Sequence, residues 1–206
     1  MRLPNGQPPT TNYALFVLLK ENINVVYYKI RNQASVLDRI GEDGNVLRPY
    51  YNNVRSGDAG NREGIAARIY FQHLFGDSFV RNRDEPGINA LLNYGYSILR
   101  AATCRAIVSS GLLPAIGIYH HNRSNAFPLA DDLMEPFRPF VDEIVYELVL
   151  YGNQELTKDV KGQLISVLYT DTIYKKVKRP LSVGLSMTTS SLVKCLSKEH
   201  NIISRV

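Results

Sequence analysis

From Asn89 to Ser110 apolar residues recur at helical spacing without a break, and Gly111 follows where a left-handed residue would end the helix. A segment of this length with one apolar stripe is too long for an ordinary strand and needs a partner surface on which to bury that stripe. Candidate partners lie on both sides of it. Residues 13–40 carry apolar positions at the same spacing and stop at Gly41. A helix is expected from about Asn61 to Phe75, with Asn61 as N-cap and Ile65, Ala66, Ile69, Tyr70 and Leu74 at helical spacing. Another should begin near Pro128 and run through Tyr151, bent at Pro136 and Pro139 and stopped by Gly152. Residues 153–169 and Leu181 to Leu196 read as two more helices. Between them lie a loop-like start over residues 1–12, an extended connection from Glu42 to Asn61, a polar loop at 81–88, and a basic loop at 170–180. No repeat, low-complexity tract or run of alternating strands interrupts this pattern. The chain reads as a mainly α fold.

Composition narrows the class further. A chain of 206 residues with 45% hydrophobic and 21% charged residues has the make-up of a globular domain with a real core. Cys104 and Cys195 lie far apart and match neither a metal spacing nor a disulfide framework. The apolar run from Tyr13 to Leu19 is too short to span a bilayer, and Pro4, Gly6, Pro8 and Pro9 break any signal peptide at the start. A soluble, cytoplasmic protein without a membrane partner is expected. The net charge of +5 is unevenly spread. Residues 151–206 hold nine Lys and Arg against four acids, whereas residues 121–150 hold two Arg against six acids. A basic face beside an acidic centre suits a phosphate-bearing partner if a cation lies between them.

The acidic centre sits in the run Gly117 to Pro139, GIYHHNRSNAFPLADDLMEPFRP. Asp132 and Glu135, three apart, share a helix face, and Asp131, four from Glu135, can turn the same way. His120 and His121 lie on the segment leading into that helix. Imidazole with carboxylates suits Mn²⁺, and tolerably Mg²⁺, but spacing alone chooses neither the histidine nor the aspartate, and a further ligand must come from elsewhere. Ordinary roles are open to the same residues: acids in a first turn serve the helix dipole, and histidines serve local hydrogen bonds. Glu63, in the first turn of its own expected helix and followed by Gly64, Ala66 and Ala67, has room beside it for another backbone or a ligand. Asn93, Tyr94 and Tyr96 place polar groups on an otherwise apolar helix, where each needs a partner and can brace a site or one another.

Together these segments resemble the CRISPR-associated integrases of spacer acquisition. The resemblance runs from KIRNQA (Lys29 to Ala34) through SGDAGNREGIAARIYFQHLFG, LLNYGYSILRA and SGLLPAIGIYHHNRSNAFPLADDLMEPFRPFVD to PLSVGLSMTTSSLVKCL. The motifs NREG, HHNRSNAF and DLMEPFRP look most like the branch that accompanies type II systems. The resemblance implies a helical catalytic domain over residues 29–206 with a divalent ion, Mg²⁺ or Mn²⁺, held by Glu63, His120 and Glu135. It also implies Asp132 as a supporting acid. Arg138, three residues beyond Glu135, is read as facing the same space, where it would meet a phosphate. Asn93 and Tyr94 are carried as supporting residues.

The implied chemistry is metal-dependent transesterification: a DNA 3′-hydroxyl attacks a phosphodiester of the repeat, with water in its place giving endonuclease activity. The implied partners are double-stranded DNA (the spacer precursor and the CRISPR repeat), a second copy of the chain, and a dimer of a small second CRISPR-associated protein. The family pattern begins with a β-rich domain of about 80–100 residues, within the usual domain range. Here LPNG, at Leu3 to Gly6, resembles only the end of that domain. Residues 1–28 are therefore read as its remnant and Met1 as an internal start, a difference expected to bear on assembly more than on the metal site. Two other readings stand beside this one: a truncated, non-catalytic DNA-binding remnant, and a metal-dependent phosphohydrolase using the same ligands.

Overall fold

The computed structural model describes residues 23–55, 58–118, 124–174 and 177–196. The expected loop at 1–12, the first part of the helix expected from residue 13, His120, His121, Lys175, Lys176, Lys198 and Arg205 lie outside the described residues.

The long apolar segment forms helix α4 (Ile88–Ser109), and it is the hub of the fold. Helix α1 (Ile23–Ile40) is followed by a 3-10 turn (Gly44–Leu47) and a short helix α2 (Arg48–Tyr51), then α3 (Arg62–Phe75). After α4 come α5 (Pro128–Met134), a 3-10 turn (Glu135–Phe137), α6 (Arg138–Leu150), α7 (Lys158–Ile165), a 3-10 turn (Ser166–Tyr169) and α8 (Leu181–Leu196). Helices α5, α6, α7 and α8 all pack against α4. Leu91, Leu92, Leu99 and Ile107 of α4 are completely buried at helical spacing, so its stripe is used along its whole length. The main core joins these to Ile30 and Leu37 of α1, Ala66 and Tyr70 of α3 and Val141 and Val145 of α6. A smaller core gathers Ile107, Leu129, Leu133 and Leu192.

The chain terminators work as their chemistry requires. Gly41, Gly111 and Gly152 adopt φ of +89°, +77° and +80°. The next amide in each case returns to a carbonyl five residues back: Glu42 to Leu37 at 2.9 Å, Leu112 to Ile107 at 3.1 Å and Asn153 to Leu148 at 2.8 Å. This closure satisfies carbonyls that the helix leaves free, and it needs the left-handed conformation that glycine adopts without strain.

Three expectations are corrected. The connection from Glu42 to Asn61 is not extended: the Asp43 carboxylate accepts the Asn45 amide at 2.9 Å and starts the 3-10 turn, and Pro49 sits in the first turn of α2. Residues 170–180 are not a plain loop. They hold an antiparallel hairpin of β1 (Asp171–Tyr174) and β2 (Val177–Pro180), with Thr172 opposite Arg179, and Thr172 Oγ1 donates to the Arg179 carbonyl at 2.9 Å. Asn61 does not cap α3 with its side chain. It takes φ +46°, and the Asp58 carboxylate accepts the Arg62 and Glu63 amides at 2.8 and 3.0 Å instead. An acceptor four residues ahead of the first helical amide does the work of an N-cap when a left-handed residue folds the chain back.

Candidate metal centre

Pro136 has no amide hydrogen to continue a helix, and the segment from Pro128 to Leu150 changes direction through the turn at Glu135–Phe137. That turn packs on α1, where Asn32 Nδ2 donates to the Pro136 carbonyl at 2.7 Å. One helical turn before Asn32 lies Lys29. Its ammonium meets Glu63 Oε1 at 2.5 Å and Glu135 Oε2 at 2.6 Å. Two carboxylates, one from the first turn of α3 and one from the Pro136 turn, thus converge on a single point carrying positive charge. Burial alone would lower the Lys29 pKa, but Glu135 and Glu63 outweigh it and hold the ammonium above its ordinary value.

The convergence is a test of fit for a divalent ion. Oxygens from Glu63 and Glu135 already face one cation position, and hard carboxylate donors suit Mg²⁺ or Mn²⁺. The described residues supply this pair and not a full ligand set. Among them no three His, Cys, Asp or Glu gather as a metal-holding group. His120, the third ligand implied by the sequence resemblance, lies outside the described residues.

The neighbouring acids serve the segment that carries His120. Asp132, completely buried, accepts the Ile118 amide at 2.6 Å through Oδ2 and so ties down the last described residue before the histidines. Asp131 faces the other way. Arg100 of α4 grips it with two bonds of 2.7 and 2.8 Å and also reaches Asn125 at 2.7 Å, while Asn125 Nδ2 donates to Asp131 at 2.7 Å. The Arg100 guanidinium stacks over Phe127, 5.3 Å from the ring centre. These bonds fix Asn125, just beyond the histidines, and engage both Asp131 oxygens.

Arg138, on the first turn of α6, bonds Glu135 Oε1 at 2.8 Å and lies over the Tyr96 ring at 4.8 Å. Burial is the largest influence and works against its charge, but Glu135, Tyr96, Asp142 and Asp131 together outweigh it and raise its pKa. Tyr96 donates its hydroxyl to Asp142, one turn beyond Arg138 on α6. Asp142 is buried, and burial pushes its pKa up to about 7 against the pull of Tyr96 and Arg138. Asn93 accepts Arg81 Nη2 at 2.5 Å and so acts through Arg81, whose guanidinium lies 5.6 Å from the Tyr96 ring centre. Tyr94 lies beneath Lys161 of α7, with 5.8 Å from Nζ to the ring centre, away from these groups.

Lys29, Arg81 and Asp142 are therefore neighbours of the site that spacing alone did not single out, whereas Tyr96 was read as a residue that can brace a site. One signal was present for Tyr96: Asn89, Asn93 and Tyr96 fall at i, i+4 and i+7, a polar stripe on an apolar helix that had to find partners. Lys29 and Asn32, three apart in KIRNQA, likewise share a face.

The fold defines the class. The chain superposes on a Cas1 protein from Thermotoga maritima with a TM-score of 0.73 at 19% identity, over 89% of this chain and 66% of that one. On a casposase bound to integration product the TM-score is 0.68 at 23% identity, over 93% of this chain and 66% of that one. The family model described as CRISPR associated protein Cas1 matches residues 19–181. The CRISPR-associated endonuclease Cas1 of Neisseria meningitidis serogroup C (strain 8013) is 47% identical over 150 residues, 71% of this chain and 49% of the relative. A Cas1 endonuclease of Francisella tularensis subsp. novicida (strain U112) is 33% identical over 179 residues, 75% of this chain and 56% of the relative. This chain belongs to the Cas1 family. It spans about half the length of these two curated relatives.

Proposed function

We propose that this chain carries the metal-dependent active site of a DNA endonuclease and integrase acting in CRISPR spacer acquisition, with residues 29–206 as its helical catalytic unit. The observation that carries this reading is the convergence of Glu63 and Glu135, from two separate elements, on one cation position. In a family whose curated relatives are named endonucleases, that position is the natural seat of Mg²⁺ or Mn²⁺, with His120 as the third ligand. When bound, the ion supplies Lewis-acid stabilisation for the charge that builds on a phosphodiester.

The chain's own residues provide the rest. Arg138 and Lys29 present fixed cations beside the carboxylates, where they can take the non-bridging oxygens of a DNA phosphate. Asp132 positions the His120 segment through the Ile118 amide, and the Arg100–Asp131–Asn125 cluster holds that segment's other end. Transesterification forms one phosphorus–oxygen bond as another breaks, so no external energy source is needed.

The partners in this reading are double-stranded DNA from the spacer precursor and the CRISPR repeat, a second copy of the chain, and a dimer of the small second CRISPR-associated protein. Support comes from fold neighbours described as a Cas6-RT-Cas1–Cas2 complex and as a casposase bound to integration product. The cellular setting is prokaryotic cytoplasm. No helix among the described residues is long and apolar enough to cross a membrane.

The test is cleavage and strand joining on duplex and branched DNA with Mn²⁺ or Mg²⁺. Activity should require the ion and fall at least 100-fold in Glu63→Gln and in His120→Ala, the scale of losing a group that stabilises transition-state charge. Equal activity in the folded variants would overturn the assignment.

A further inference from the structure

Behind the carboxylate pair lies a cavity of about 600 Å³, walled by α1, α3, the loop that follows α3, and the inner faces of α4 and α6. Lys29 and Arg138 belong to both places: they bond the carboxylates on one side and line the cavity on the other. Gly64 and Ala67 of α3 keep part of the wall low.

Its chemistry is that of an anion site. Arg68, Arg81, Arg138 and Lys29 line it against two acids, Asp77 and Asp142, and Asp142 is engaged by the Tyr96 hydroxyl, with its pKa pushed up to about 7 by burial. Arg81 is fixed by neutral oxygens, with bonds of 2.8 Å to Asn89, 3.2 Å to the Asn82 carbonyl and 2.5 Å to Asn93. Its positive charge is thus pre-positioned with no acid among these partners. Arg81 and Arg138 both approach the Tyr96 ring, which sets two like charges side by side at the cavity wall.

Two side chains that line this space each carry a buried polar atom with no hydrogen-bond partner among the described residues, Arg138 Nε and Gln33 Oε1. Buried polar groups are rarely left so. The volume exceeds a water's share of about 30 Å³ many times over and falls in the range of small-molecule sites. Phe71 and Phe79, with ring centres 5.8 Å apart, add an apolar wall of the kind on which a base lies.

We infer that this cavity is a nucleotide pocket, taking one deoxynucleoside 5′-phosphate unit with its phosphate toward Arg81, Arg138 and Lys29 and its base toward Phe71 and Phe79. The unit comes either from a free mononucleotide or from the end of a DNA strand. The inference deepens the DNA reading by naming the moiety bound beside the metal position, and it is testable without metal.

The experiment is calorimetric titration of the full chain in EDTA with thymidine 5′-monophosphate, with thymidine, and with a short oligothymidylate. Saturable binding of the monophosphate is expected, weakened at least tenfold for thymidine and at least tenfold by Arg81→Gln. Arg68→Gln, at an exposed position that leaves the core untouched, should weaken it at least threefold. Competition by the oligothymidylate assigns the pocket to strand ends, and its absence assigns it to free nucleotide. No saturable binding, or thymidine binding as tightly as its monophosphate, or full binding in both Arg variants, overturns the pocket. Because no metal is present, failure here leaves metal-dependent cleavage standing, and failure of cleavage leaves the pocket standing.

Discussion

At the scale of single residues, Lys29 decides what the carboxylate pair does in the absence of an ion. Two acids brought together would repel, and a buried carboxylate without a partner costs several kcal/mol. The Lys29 ammonium, between Glu63 and Glu135, removes that cost by standing where a divalent cation would stand. It also competes with the ion for the place. Lys29→Met should therefore lose about 3 kcal/mol of stability in EDTA, the scale of breaking a buried ion pair. The same variant should bind Mn²⁺ at least tenfold more tightly than the unaltered chain and gain more melting temperature from it. Thermal melts and titration calorimetry with and without Mn²⁺ check both, and weaker Mn²⁺ binding in the variant would contradict the competition. The spacing of KIRNQA puts Lys29 on one face with Asn32 but does not set it between two acids. A lysine on a helix is ordinarily a solvated charge, and only the packing of α1 on α3 and on the Pro136 turn brings it between two acids.

At the scale of elements, what could be read in advance was what the backbone enforces locally. Gly41, Gly111 and Gly152 announce helix ends because a left-handed residue is costly for anything else, and Pro136 announces the bend because it has no amide hydrogen. The hairpin at 171–180 was not legible. Its strands have four residues each, and β2 exposes Val177, Lys178 and Arg179 in succession, so no alternation of apolar residues marks it. Spacing made Glu63 and Glu135 legible only as separate acids, because their meeting depends on tertiary packing; it was the family resemblance that implied them as ligands of one ion.

Gly95 shows the same limit in a form that can be measured. It lies in the middle of α4, where alanine is the better helix former by about 1 kcal/mol. Yet an added Cβ would overlap Val141 Cγ1 of α6, while meeting Leu164 of α7 only at ordinary contact distance. Val141 is completely buried and stiff at χ1, so it cannot swing aside. Gly95→Ala should destabilise the fold by about 1–2 kcal/mol net, the overpacking cost exceeding the propensity gain. Urea unfolding with an unchanged slope and a lower midpoint would agree, and a higher midpoint would refute the close approach of α4 and α6.

For the whole molecule, Asp142 links stability to pH. Its pKa is pushed up from 3.8 to about 7 in the fold, so between those values the folded chain holds a proton that the unfolded chain releases. Its contribution is fully present below the unfolded value, declines as pH rises toward about 7, and is flat above. Asp142→Asn keeps an acceptor for Tyr96 without the charge. The fall in melting temperature from pH 5 to pH 8 should shrink in this variant, and an unchanged fall would mean that other groups set the pH dependence. The two anchors at Ile118 and Asn125 have a different consequence for the molecule: they fall on Asp132 and Asp131, adjacent residues of one helix, so a single rigid element sets how far apart those two points of the chain stand.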